Sequence, residues 1–124
     1  MKIFLMIGAI LAGLSGAAGA FASHALKERL TERMLQIFET GTKYQMYHAL
    51  ALLLVAVLLT RPEIPQNLLT AAGIAFIAGV ALFSGSLYAL SLSGIKWLGA
   101  ITPLGGIAFL VGWGCIVAAS WGIK

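Results

Sequence analysis

Four stretches without a single Lys, Arg, Asp or Glu dominate this chain: Ile3 to Ala22, Tyr44 to Thr60, Leu68 to Ile95 and Trp97 to Ile123. At about 1.5 Å per helical residue, each is long enough, or nearly so, to cross the ~30 Å hydrocarbon layer of a bilayer. Only a helix satisfies its own backbone hydrogen bonds over such a distance in lipid, short of a closed barrel. The residues left over are too few to bury a separate soluble core. The expected fold class is therefore all-α: an integral membrane four-helix bundle in one domain, residues 1–124, with spans at about 3–22, 44–60, 68–90 and 97–121.

Composition agrees. The 124 residues are 60% hydrophobic and 10% charged, against roughly 25% charged in an ordinary soluble domain, and the mean hydropathy is +0.99. The net charge of +4 sits at ends and connectors and forms no basic stripe interleaved with aromatics, which argues against nucleic acid as a partner. A lone Cys115 allows no internal disulfide and belongs to no metal-ligand spacing.

The first stretch, Lys2 followed by IFLMIGAILAGL and ending in Ala20-Phe21-Ala22, has the outline of a cleavable signal peptide. Its apolar run of about 20 residues exceeds the 7–15 of a signal core. Small residues also recur at four-residue spacing, as Gly8 with Ala12, Ala9 with Gly13 and Ser15 with Gly19. Such rows let a second helix approach closely, so a retained packing helix is expected.

Between the first two spans, Leu26, Leu30, Met34, Ile37 and Phe38 recur at three- and four-residue spacing among charged neighbours. That single apolar stripe predicts one amphipathic helix at about 25–40, lying in the plane of the interface. Pro62 and Pro65 break the chain after the second span and make its neighbours antiparallel. Pro103 falls in the opening turns of the fourth span, with Gly105-Gly106 behind it, so a kink or a close helix contact is expected there. Trp97 and Trp121 bracket that span as interfacial anchors.

Threading four spans places Lys2, Arg61 and Lys124 on one side and Lys27, Arg29, Arg33, Lys43 and Lys96 on the other. The excess of basic residues predicts a cytoplasmic 24–43 segment and both termini outside.

The same threading gathers the polar side chains. His24 closes the first span; Tyr44, Gln45, Tyr47 and His48 open the second; Ser84, Ser86 and Tyr88 close the third; Thr102 opens the fourth. A polar cluster at one membrane face is expected, because lipid offers no hydrogen-bond partners. Its imidazole, ordinarily titrating near neutrality, makes His48 a candidate proton carrier. The plainer role is a hydrogen bond to a neighbouring tyrosine or serine, and the tyrosines equally suit an aromatic belt. No Ser-His-acid set, phosphate loop or H-E-x-x-H is present, and two histidines without carboxylates do not make a metal site. No catalytic, cofactor-binding or metal-binding residue is assigned. The expected function is a non-enzymatic membrane protein whose cluster packs the bundle, with the bilayer, a protein partner or a second copy as contacts. The alternative is a channel or carrier for a proton, ion or small polar solute through a vestibule containing His48.

Four segments, AFASHALK at 20–27, FETGTKYQMYHALAL at 38–52, LFSGSLY at 82–88 and GAITPLGGIAFLVGW at 99–113, resemble the YgdD/YwdK family of small inner-membrane proteins. The likeness covers nearly the whole chain in order, and T-G-x-x-Y-Q-M-Y-H-A-L is its most specific part. One departure is Ala22-Ser23 before His24, where the family commonly has Gly-Ala. The resemblance implies a four-helix integral membrane protein and brings no reaction, cofactor or partner.

Overall fold

A computed structural model describes residues 2–123. Helix α1 spans Lys2–His24, α2 Glu32–Leu58, α3 Gln66–Gly79, α4 Gly85–Ser93 and α5 Thr102–Ala119. A π-helical turn, Val80–Ser84, joins α3 to α4 without a break, so the two make one rod, Gln66–Ser93. The fold is all-α, four rods in antiparallel succession. Three of them, Lys2–His24, Gln66–Ser93 and Lys96–Gly122, are long and apolar enough to cross a membrane. The fourth, α2, carries its polar residues on the same helix as its hydrocarbon.

That last point corrects one expectation: the helix predicted at about 25–40 is not a separate element, because it continues into the segment expected as the second span. Leu26–Glu28 is a short 3₁₀ turn. The Thr31 side chain then caps a new helix by accepting from the amide of Met34 at 3.2 Å, and that helix runs on to Leu58. No proline interrupts it. The apolar stripe has a different destination from the one predicted: Leu26 and Phe38 are buried against Ala22, with Leu30, Leu35 and Tyr88 packed around them. Leu26, Leu30 and Phe38 of the stripe face protein, and a helix edge turned toward a neighbouring helix has the same period as one turned toward lipid.

The turn after α2 is held locally. Gln66 donates from Nε2 to the carbonyls of Arg61 and Ile64, at 3.1 and 2.9 Å, Arg61 pairs with Glu63, and Ile64 is buried beneath them. On the far side of the bundle, Gly94 takes a left-handed conformation (φ 74°) that ends α4. A 3₁₀ turn, Lys96–Ala100, leads into α5.

Helix α1 lies mainly against α2, α5 against α3, and α2 beside the α3–α4 rod. The main core joins Leu52 and Val55 of α2 to Leu69 and Phe76 of α3 and Phe109 of α5. Close approach depends on missing side chains. A Cβ on Gly105 would collide with the backbone of Phe83, and one on Gly8 would come within 2.8 Å of Leu53. The contact expected at Gly105-Gly106 is thus present at Gly105, with Pro103 in the first turn of α5 where its missing amide is harmless. Of the α1 row, Gly8 and Ser15 are buried while Gly13, Gly16 and Gly19 meet nothing within 4 Å. Large apolar side chains cover the outside, among them Leu110 at 72% exposure and Val117 at 64%. An apolar surface of that kind belongs in lipid.

Candidate functional site

The polar side chains form a ladder along α2. At its first rung, Ser15 donates to the carbonyl of Thr42 at 2.6 Å and Ser84 donates to the carbonyl of Gly41 at 2.8 Å. The π turn supplies this second contact, since a wide turn re-aims a side chain without ending the helix. One helical turn on, the Gln45 amide bridges three helices. Its Nε2 donates to the carbonyl of Leu11 on α1 at 2.8 Å, and its Oε1 accepts from the Tyr88 hydroxyl of α4 at 2.6 Å. A further turn brings His48, whose Nδ1 lies 2.8 Å from the carbonyl of Tyr44 and whose Nε2 accepts from the Trp113 indole at 3.1 Å.

Those two contacts fix the imidazole's form. A carbonyl can only accept and an indole N–H can only donate, so the proton sits on Nδ1 and the ring is neutral. The ring also stacks on Phe109 with centroids 3.5 Å apart and planes 5° from parallel. His48 is therefore the polar and aromatic link between α2 and α5.

A separate rung ties α4 to α5, where the hydroxyls of Ser86 and Thr102 lie 2.5 Å apart. Tyr44 packs at a tilt against Phe83, with ring centroids 4.7 Å apart, and is 38% exposed. Tyr47 touches Tyr44 edge-on and faces outward. His24, at the end of α1, is exposed and apart from the ladder.

The placement of the expected residues thus divides. Gln45, His48, Ser84, Ser86, Tyr88 and Thr102 are joined to neighbouring helices by hydrogen bonds, Tyr44 contributes its carbonyl and ring, and Tyr47 and His24 stand outside. Gln45 is equidistant from the ends of α2, Glu32 and Leu58, roughly 20 Å from each at ~1.5 Å per residue. It and His48 lie near the midpoint of that helix. The ladder runs from there toward the end where α4 closes.

Two hydrogen-bonding side chains of the ladder escaped the sequence reading, Ser15 and Trp113. Trp113 had a signal. A tryptophan in the interior of a span, away from both interfaces, needs a partner for its N–H. Ser15 had a weaker one, as a hydroxyl midway along the first apolar stretch.

Beside the ladder, an open groove of about 500 Å³ runs between α2 and α5, lined by Tyr44, Phe83, Pro103, Phe109 and Trp113 among others. Among the described residues, no three His, Cys, Asp or Glu side chains come close enough to hold a metal ion.

The family described as "Protein of unknown function (DUF423)" matches residues 18–106, which include every rung except its anchors Leu11, Ser15 and Trp113. The UPF0382 membrane protein YwdK of Bacillus subtilis is 48% identical over 97% of both chains. A UPF0382 membrane protein of Staphylococcus aureus (strain bovine RF122) is 42% identical over 98% of this chain and 97% of its own. One from Staphylococcus saprophyticus is 40% identical over 99% of this chain and its own full length. No solved structure matches. With similarity of that extent at both ends and through the ladder, the chain belongs to the DUF423/UPF0382 family of membrane proteins.

Proposed function

We propose that this is a non-catalytic protein of the bacterial inner membrane, in which all four rods cross the bilayer and α2 is the post to which the other three are tied. One observation carries this: among the described residues, no buried side-chain nitrogen or oxygen lacks a hydrogen-bond partner. The polar groups at mid-depth are spent on one another and on backbone carbonyls of neighbouring helices. A polar group in hydrocarbon is costly alone and adhesive when paired, so α2 can span despite its composition. A conducting path would need groups free to hydrate a solute, and the closed pairing counts against one. The 24–43 end, richer in Lys and Arg, is placed in the cytoplasm by the positive-inside bias.

The test is cysteine labelling in intact cells, in a Cys115→Ala background with single cysteines at Lys27, Glu63 or Lys96. Four crossings give labelling of the Glu63 position by an impermeant reagent and protection of the other two until the cells are opened. Equal labelling of Lys27 and Glu63 positions would show that α2 does not cross.

A further inference from the structure

At the end of the bundle where α2 begins, the structure contains a crevice of about 390 Å³ bounded by Arg33, Met34, Ile37, Leu90 and Lys96. This is within the ~300–1,000 Å³ range of small-molecule sites. Its chemistry is divided. Met34 and Ile37 on the opening turns of α2 and Leu90 on α4 give an apolar wall, and two cations stand at the rim. Arg33 belongs to the first turn of α2, whereas Lys96 is brought to it by the left-handed turn at Gly94. The Ser93 hydroxyl steadies that turn by accepting from the amide of Ile95 at 3.2 Å. Neither cation has a carboxylate partner among the described residues, since the ion pair recorded there is Arg61 with Glu63 at the opposite end.

Position selects the occupant. Trp97, adjacent to Lys96, is 66% exposed, as an amphipathic ring is at the headgroup level. Below it, the tilted rings of Phe38 and Tyr88 pack with centroids 4.9 Å apart and mark the start of the packed interior. The crevice therefore opens at the boundary of water and hydrocarbon, cationic on the wet side and apolar on the other. Two like charges held near one small space repel unless an anion lies between them. A soluble anion would leave the apolar wall bare.

We propose that this crevice binds one anionic glycerophospholipid, its phosphate held between Arg33 and Lys96 and the start of an acyl chain against Met34, Ile37 and Leu90. Arg33 suits the phosphate because its planar guanidinium can engage two oxygens at once. The site marks which leaflet the end of α2 occupies. It rests on the proposed function only in taking α2 to leave the bilayer near Arg33. Cysteine labelling decides that crossing without reference to lipid, so either idea can fail alone.

The experiment is native mass spectrometry of the full chain released from nanodiscs containing phosphatidylglycerol and phosphatidylcholine in equal amounts. The wild-type protein is expected to retain one phosphatidylglycerol and no phosphatidylcholine. The R33Q/K96Q double variant is expected to lose that occupancy about 25-fold, the product of about fivefold for each cation at the membrane surface. R33K/K96R keeps both charges and should retain the lipid. K27Q/R29Q removes two charges from the same end but outside the crevice and should retain it as well. Equal retention of both lipids, an unchanged R33Q/K96Q variant, or an equal loss in K27Q/R29Q would each overturn the proposal, the last by showing diffuse attraction. Displacement by millimolar glycerol 3-phosphate would also overturn it, because the headgroup alone would then be what is bound.

Discussion

The indole N–H of Trp113 points at the Nε2 of His48 from 3.1 Å away, and this contact joins α5 to α2 at the middle of the bundle. Removing the donor in Trp113→Phe keeps an aromatic ring in place and leaves Nε2 without a partner. Interhelical hydrogen bonds in membrane proteins average about 0.6 kcal/mol and reach about 1.7. A loss of about 1 kcal/mol in reversible detergent unfolding is expected for Trp113→Phe. The nitrogen-15 spectrum of labelled His48 should show the proton on Nδ1 in the wild type. A spectrum showing the proton on Nε2 would be incompatible with the indole contact.

Gln45 presents a sharper case because one amide serves two helices. Gln45→Leu has similar volume but strips the Tyr88 hydroxyl and the Leu11 carbonyl of their partners together. The expected cost is about 1–3 kcal/mol from losing two bonds and stranding the groups left behind. The Gln45→Leu, Tyr88→Phe pair removes both ends of one bond. Its destabilisation should fall short of the sum of the single variants by several tenths of a kcal/mol, the mark of direct coupling. Strict additivity in denaturant titrations would mean that the two side chains do not meet.

Much of this architecture could be read from residue order, and the exceptions share a cause. Charge-free length located the rods, and Pro62 with Pro65 located the turn between α2 and α3. The helix expected at about 25–40 and the span expected at 44–60 fall on one continuous helix, α2, because hydropathy along a chain weighs Gln45 and His48 as if each faced its surroundings alone. Their partners, the Leu11 carbonyl, Tyr88 and Trp113, lie 34, 43 and 65 residues away. Only the packed structure shows that these groups are already satisfied within the bundle. The stripe at Leu26 to Phe38 failed in the same way, since its period reveals a buried face without saying what buries it.

Glycines separate cleanly by what surrounds them. A methyl group at Gly105 would meet the amide nitrogen and Cα of Phe83, atoms that cannot turn aside as a flexible side chain can. Gly105→Ala should therefore push α5 from the π turn, at a cost of about 1–3 kcal/mol. Gly114, on the same helix, has nothing within 4 Å of the added carbon. Gly114→Ala should be neutral or stabilising, by up to about 1 kcal/mol, because alanine is the better helix former. Reversal of that order in thermal melts would contradict the packing of α5 on Phe83.

Outside the hydrocarbon, the connector between α2 and α3 offers a pH dependence with a definite sign. The Glu63 carboxyl is held below its ordinary value of 4.5 by a hydrogen bond from its own backbone amide and then by the Arg61 side chain, whose Nε donates to it at 2.7 Å. A carboxyl depressed in the folded state binds its proton more readily once the turn opens. Its contribution is thus complete above the ordinary carboxylate range and is lost as pH falls through the depressed folded value. Both side chains are partly or largely exposed, so the effect is small and weakens with salt. Wild type and Glu63→Gln should accordingly differ in melting point at pH 7 and low ionic strength, and converge as the solution is acidified through and below pH 4.5. A gap that widened on acidification would reverse the sign and remove the Arg61 contact from the account.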